Sequence, residues 1–253
     1  MVEVVWTTLA ERQAARTWLA HYGVDVAEPT PLLAARIGPR MLVTRSYRAY
    51  SMLAGLVWMI VLLPPVPVLA RFLVLAVSCV AYPLLRWRRV LQADRAAARV
   101  VPARARPPLR VAAGQVGRWY LAAVATTFGG GAALCAGYAA NPAGWAAALL
   151  IGAVGVGLVF GRALLAPVIA EDGASAVIDA ALRAYDTRLF ALPLLFGFLA
   201  WIDLSTSWPW SPARILPVVA YCVLVVAVHI GAVMEVRRRY RRLPPGHYGT
   251  AAS

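Results

Sequence analysis

Residues 215–242 read ILPVVAYCVLVVAVHIGAVMEVRRRYRR, a long apolar run that ends in a cluster of arginines. An α-helix rises about 1.5 Å per residue, so roughly 20 apolar residues cross the hydrocarbon core of a bilayer. Arginines next to such a run favour the cytoplasmic side of the membrane. The stretch therefore predicts a transmembrane helix, about Ile215–Met234, whose carboxyl end is cytoplasmic.

Five further apolar stretches precede this one. Of all residues 61% are hydrophobic and 14% charged, whereas soluble domains average about 45–50% apolar and about 25% charged. The excess apolar surface requires a lipid environment. We predict an all-α, polytopic transmembrane bundle with six spans arranged as three hairpins. The first five spans lie at about Tyr47–Leu63, from after Pro67 to Leu85, Trp119–Ala140, Ala143–Pro167 and Leu189–Trp208.

The first hairpin has an alternative. Residues 49–70 could form one proline-kinked span, but the 14 residues Phe72–Leu85 would then be too short to cross alone, since a span needs about 17–25. A kinked span would also separate Arg45 and Arg48 from the arginines that follow Leu85. A tight turn at Pro64–Pro67 keeps these arginines on one side, and the hairpin is the favoured interpretation.

The arginines predict the orientation. Lysine is absent, and 22 of the 25 arginines lie in the amino-terminal segment, the two predicted inner loops and the tail. Such asymmetry places both termini in the cytoplasm, in a multi-pass protein of the inner or plasma membrane. The positive charge flanks apolar spans, so it predicts contact with anionic lipid headgroups rather than with nucleic acid.

Three regions follow from this topology. Residues 1–48 form a cytoplasmic amphipathic segment, residues 49–236 the six-span domain with inner loops 86–118 and 168–188, and residues 237–253 a basic cytoplasmic tail. Thr8 and Glu11 match a capping box that starts a helix, which lies on the membrane surface or packs against the bundle, and Gly23 is suited to end it. A second short helix is predicted at residues 31–37, after which Arg40 leads toward the bilayer.

Spans three and four are rich in glycine. Gly157 and Gly161 form a GxxxG pattern, which allows helix backbones to approach closely in membranes. We predict tight packing of the two spans, with a glycine break that lines a cavity as the alternative. The predicted packing positions are Gly129, Gly130, Gly131, Gly152, Gly157 and Gly161.

A few polar side chains fall within or beside the spans. Asp203, Arg71 and Arg214 are all placed near the outer face, and we hypothesise that Asp203 pairs with one of the two arginines. Three separate headgroup contacts are the alternative. His229 and Glu235 lie toward the inner end of span six, where His229 is either proton-responsive or hydrogen-bonded to a neighbour.

The second inner loop carries the acidic residues. Apolar positions recur at helical spacing in residues 174–185 and predict a short amphipathic helix parallel to the membrane or packed beneath it. Its opposite face is predicted to be solvated and available to dock a partner protein. The predicted docking residues are Asp172, Asp179, Arg183 and Asp186. Alternatively, Asp172 or Asp179 binds a metal together with a substrate phosphate.

Catalytic and cofactor motifs are missing from the sequence. The histidines have no ligand spacing, and neither a G-x-S-x-G elbow nor H-E-x-x-H occurs. The layout resembles the six-helix permeases of ABC exporters, which implies a transport subunit served by a separate cytoplasmic ATPase. The alternative is a non-catalytic scaffold or regulator that binds another protein through its basic face, and a homo-oligomer is compatible with both.

Overall fold

The computed structural model describes residues 7–44, 66–101, 105–205 and 211–251. Within them five helices are long and apolar enough to cross a membrane, by length and composition. They are Val68–Val100, Arg118–Tyr138, Pro142–Leu165, Gly173–Ser205 and Pro212–Arg239. The chain therefore has the helices of a multi-pass membrane protein, in agreement with the predicted class.

Two helices and a strand precede the bundle. Helix α1 covers Leu9–His21, strand β1 covers Val26–Pro29, and residues 31–44 are helical and form α2. The capping box is confirmed, because the Thr8 hydroxyl accepts from the Glu11 N–H and the Glu11 carboxylate accepts from the Thr8 N–H. Gly23 has a positive φ of 80° just after the helix, as a terminating glycine does. Helix α2 is longer than the predicted 31–37.

The bundle helices contain several interruptions. Helix α3 is Val68–Val100 and α4 is Leu109–Val116. The next crossing comprises α5 (Arg118–Ala125), a π-helical segment at Thr126–Gly130 and α6 (Gly131–Tyr138). Helix α7 is Pro142–Leu165; α8 (Gly173–Phe190), α9 (Leu194–Gly197) and α10 (Leu199–Ser205) form one crossing. Helix α11 is Pro212–Arg239, and strand β2 is Gly249–Ala251.

The crossings alternate between two ends of the bundle. At one end, which we call the arginine-rich end, the end of α11 meets the start of α5: the Trp119 N–H donates to Glu235. At the other, which we call the far end, Arg214 at the start of α11 donates to the Tyr138 carbonyl at the end of α6. The central crossing is Gly173–Ser205, whose apolar window is 61% buried against 28% for α3 and α11. In a membrane, lipid would cover the outward apolar faces of these helices.

The predicted first span lies outside the described residues. Thr44 is at the arginine-rich end, where its hydroxyl is 2.6 Å from the Tyr185 hydroxyl. Pro67 is at the far end, because α3 starts there beside Gly144 of α7. Thr44 and Pro67 thus lie at opposite ends of the bundle, and the hairpin stays a prediction because residues 45–65 are not described.

A small sheet joins the amino-terminal segment to the tail. Strands β1 and β2 pair antiparallel, with Val26 opposite Ala251 and Pro29 opposite Gly249. The Thr30 N–H extends the contact by donating to the Tyr248 carbonyl at 3.0 Å. The amino-terminal segment and the tail therefore lie on the same side of the bundle, and the tail is folded back rather than free.

The glycines that pack are not those of the GxxxG pattern. A Cβ at Gly152 would lie 2.5 Å from the Phe196 ring, and one at Gly155 would lie 2.7 Å from Val80. Gly130 and Gly131 lie against Tyr221, whose hydroxyl donates to the Thr127 carbonyl at 2.6 Å. No described atom lies within 4 Å of a Cβ built at Gly129, Gly157 or Gly161. The described residues thus make no close approach at Gly157 or Gly161, and packing at these two positions stays a prediction.

Candidate functional site

A buried network of ion pairs joins α2, α3 and α8 at the arginine-rich end. Arg36 donates to Asp94 at 3.2 Å and to Asp179 at 2.6 Å. Arg40 donates to both oxygens of Asp186 and to both oxygens of Asp94, at 2.8–3.1 Å. The network fixes three segments that are far apart in sequence.

A third arginine connects this network to α7. The Arg183 Nε donates to Asp179 at 2.7 Å. Its other nitrogens donate to the carbonyls of Ala163, Ala166 and Pro167 at 2.7–3.1 Å. These carbonyls belong to the end of α7 and the residues after it, where helix carbonyls lack intrahelical partners. Arg183 thus caps α7 and holds the loop that leads to α8.

The six network side chains are buried yet fully paired. None is more than 11% exposed. Burial alone would lower the pKa of Arg40, but the carboxylates of Asp186 and Asp94 outweigh it and hold the pKa above its ordinary value. Buried charges persist only when paired and hydrogen-bonded in this way. The network is therefore a charged core, distinct from the apolar core of the bundle.

This arrangement corrects the sequence interpretation of α8. Asp179, Arg183 and Asp186 were predicted on a solvated face, but they are buried against α2, α3 and the end of α7. Arg40 does not lead into the bilayer but lies 1% exposed within the network. The helix is also not a separate surface element, since it continues through Ala191–Pro193 into α9 and α10. Partner docking by this face stays a prediction.

A cavity of about 220 Å³ opens beside the network. All six network side chains contribute to its wall, together with Trp87, Arg95 and Arg162. Arg95 is exposed and Arg162 half-buried. The cavity therefore combines a fixed, paired inner wall with a rim of further guanidinium groups.

No family model, no curated protein and no solved structure matches this chain. The function must therefore be argued from the site.

The acidic residues of this region are already engaged. Both oxygens of Asp179 accept guanidinium hydrogen bonds, so a cation there would have to displace an arginine. Asp172 caps α8, accepting from the Ser175 N–H at 2.7 Å and from its hydroxyl at 2.6 Å. These hydrogen bonds hold the pKa of Asp172 below its ordinary value. Within the described residues there is no group of three or more candidate ligands for a metal ion.

Glu235 and His229 lie toward the arginine-rich end of α11. Glu235 accepts from the Trp119 N–H and from Arg239, each at 3.0 Å, and so joins α11 to the start of α5. The Nδ1 of His229 is buried without a hydrogen-bond partner among the described residues. Neither residue belongs to the charged cavity.

The polar residues of the far end form a second, smaller cluster. Buried Asp203 accepts from the N–H groups of Ala140 and Asn141, each at 2.8 Å. Arg214 donates to the Tyr138 carbonyl at 2.7 Å, and Arg71 donates to the Val66 carbonyl at 2.9 Å. Asp203 and Arg214 thus secure the same turn between α6 and α7. Pairing of Asp203 with Arg71 or Arg214 stays a hypothesis.

Replacing Asp203 with asparagine should destabilise this turn by about 1–3 kcal/mol, because one amide oxygen cannot replace the two charged oxygens that accept from the N–H groups of Ala140 and Asn141. The measurement is unfolding of the purified protein in mixed micelles. Combining the change with Arg214→Gln tests the pairing, since additive losses would contradict an Asp203–Arg214 pair. An unchanged midpoint for Asp203→Asn alone would contradict the turn's dependence on the carboxylate.

Proposed function

We propose that this chain is a non-catalytic membrane scaffold or regulatory protein that binds a partner through its arginine-rich end. The observation that carries the proposal is the combination of a rigid charged core with an exposed basic surface at that end. The exposed arginines of the surface are Arg88, Arg89, Arg95, Arg99, Arg106, Arg110, Arg118, Arg237, Arg238, Arg239, Arg241 and Arg242. Positive groups clustered beside spans favour anionic partners and the cytoplasmic side.

The shape of this surface is well defined. The ion pairs of Arg36 and Arg40 hold α2 against α3 and α8. The Arg239 guanidinium donates to the Gly114 carbonyl and to Glu235, which fixes the end of α11 beside α4. A basic surface with a rigid base presents its charges at set positions, which favours selective binding of an acidic surface over non-specific attraction.

The interior of the bundle supports binding over transport. An apolar cluster runs along the described crossings, from Phe72 and Trp145 to Phe196 and Val225, and the buried charged side chains lie nearer the two ends of the bundle. Polar groups that move a substrate or an ion across a bilayer ordinarily line such an interior. The described core therefore favours a structural and binding role.

A transport subunit served by a separate ATPase is the second candidate. The observation in its favour is that the network links α2 to α3, to α8 and, through Arg183, to α7. If a protein bound at this end changed its conformation, the network would transmit the movement to several crossings together. Such coupling is what a permease moved by an ATPase requires.

The test is quantitative co-purification. The tagged full-length chain is isolated from its native membrane in mild detergent, beside a variant with glutamine at Arg237, Arg238, Arg241 and Arg242. A lysine variant at the same four positions is the matched control, because it keeps the charge. A stoichiometric partner held by the wild type and the lysine variant, but lost from the glutamine variant, supports the proposal. A stoichiometric ATPase selects transport, and a chain that retains no partner contradicts both candidates.

The orientation is tested separately. A reporter fused after Pro67 is expected outside the cytoplasm, and one fused at the carboxyl terminus is expected inside, because Pro67 lies at the far end and the tail at the arginine-rich end. Alkaline phosphatase and green fluorescent protein report the two sides. If both fusions reported the same side of the membrane, the fold would be contradicted. If the Pro67 fusion were inside and the carboxyl-terminal fusion outside, the proposed cytoplasmic location of the arginine-rich end would be contradicted.

A further inference from the structure

We propose that the cavity beside the ion-pair network binds a phosphate group. Five arginines and three aspartates line the cavity, an excess of two positive charges. The three aspartates are matched within the network by Arg36, Arg40 and Arg183. The excess therefore resides on Arg95 and Arg162, and neither forms an ion pair with any described residue.

An unused hydrogen-bond donor lies in the same wall. Trp87 is 8% exposed and lines the cavity. Its indole N–H has no hydrogen-bond partner among the described residues. Buried donors are almost always satisfied, and the proposal gives this one an acceptor oxygen of the bound group. The cavity thus offers two unmatched positive charges and an N–H to a ligand that carries negative oxygen atoms.

The size of the cavity restricts the ligand. Sites for small molecules occupy roughly 300–1,000 Å³, and this cavity has about 220 Å³. A single oxyanion group fits that volume better than a whole nucleotide or cofactor. Guanidinium groups match the geometry of phosphate oxygens with paired N–H donors. Phosphate is therefore the group that charge, donors and volume favour together.

The position of the cavity allows two sources of phosphate. Trp87 follows the apolar part of α3, and Arg162 lies in the last turn of α7, so the cavity is level with the end of the spans. A lipid headgroup can enter there from the membrane, and soluble phosphate can enter from water. Both offer the same oxyanion to Arg95, Arg162 and Trp87.

The experiment uses the full-length chain in a non-ionic detergent at constant ionic strength. Inorganic phosphate is one probe, and short-chain phosphatidic acid is the other. Binding is measured by the shift in the thermal midpoint and by microscale thermophoresis. Arg95→Gln combined with Arg162→Gln is expected to weaken binding about tenfold or more, since charge-assisted hydrogen bonds are lost. Arg99→Gln is the control, because Arg99 is exposed on the same helix and does not line the cavity.

Trp87→Phe provides an independent reading. Phenylalanine keeps an aromatic side chain but removes the N–H together with the five-membered ring of the indole, so binding is expected to weaken several-fold while the network stays intact. Binding of both probes, or of phosphatidic acid alone, supports the site, and the second result assigns the phosphate to a lipid. The proposal is overturned if the wild type binds neither probe. It is also overturned if Trp87→Phe and the arginine double variant bind as tightly as Arg99→Gln.

Discussion

Replacing Arg40 with glutamine is expected to lower the free energy of unfolding by about 3–5 kcal/mol, the range measured when one partner of a buried ion pair is removed. Arg40 supplies hydrogen bonds to all four oxygens of Asp94 and Asp186. Without it, the buried carboxylate of Asp186 has no guanidinium partner among the described residues, and that of Asp94 keeps only Arg36 at 3.2 Å.

The effect of Arg40→Gln is measured by unfolding in mixed micelles. Arg89→Gln is the control, because Arg89 is exposed on α3 and its loss should change stability by no more than about 0.5 kcal/mol. Adding Asp186→Asn to Arg40→Gln removes the carboxylate left without a guanidinium partner, so the double variant should lose less than the sum of the single losses. A loss below 1 kcal/mol for Arg40→Gln, or strict additivity, would contradict a coupled buried network.

Replacing Gly155 with valine should separate α7 from α3. A Cβ at this position would lie 2.7 Å from Val80 Cγ1 and 2.9 Å from its Cγ2. Val80 is β-branched and has few alternative rotamers, so the helix backbones must move apart. Overpacking of this kind costs about 1–3 kcal/mol.

Gly157→Val is the matched control for Gly155→Val. It is the same substitution on the same helix, but no described atom lies within 4 Å of its Cβ. The change in helix propensity is shared, so the difference in unfolding free energy between the two variants measures the contact with Val80. Equal stabilities would show that α3 and α7 do not meet at Gly155. Greater loss for Gly157→Val would restore the GxxxG packing that the sequence predicted.

Local signals in the sequence were accurate. The Thr8–Glu11 capping box is confirmed because both its groups lie within one helical turn. Gly23 ends the first helix through a local backbone preference. Each of these features depends on residues a few positions apart.

The charged core could not be predicted in the same way. Asp179 meets Arg36 across 143 residues, and Arg40 meets Asp186 across 146. A polar helical face has the same spacing whether water or guanidinium groups cover it. The sequence did contain one usable signal. Arg36 and Arg40 are four residues apart, so both lie on one face of α2, and the predicted helix of the second inner loop carries aspartates that could pair with them.

The glycines show a related difficulty. GxxxG at Gly157 and Gly161 is a motif of close packing, yet Gly152 and Gly155 make the contacts. Which face of α7 meets its neighbours depends on the rotation of the helix within the bundle. The rotation brings Gly152 against Phe196 and Gly155 against Val80, two residues that are distant in sequence and that the local pattern does not reveal.

The strand pairing of residues 26–29 with residues 249–251 has a consequence for biogenesis. During synthesis, residues 26–29 emerge from the ribosome long before residues 249–251, with which they pair, have been made. The carboxylates that accept from Arg36 and Arg40 are also made at different times, with Asp94 on α3 first and Asp179 and Asp186 on α8 last. The pairing of residues 26–29 must therefore wait for residues 249–251, and a nascent chain stalled before residue 249 would leave that strand unpaired.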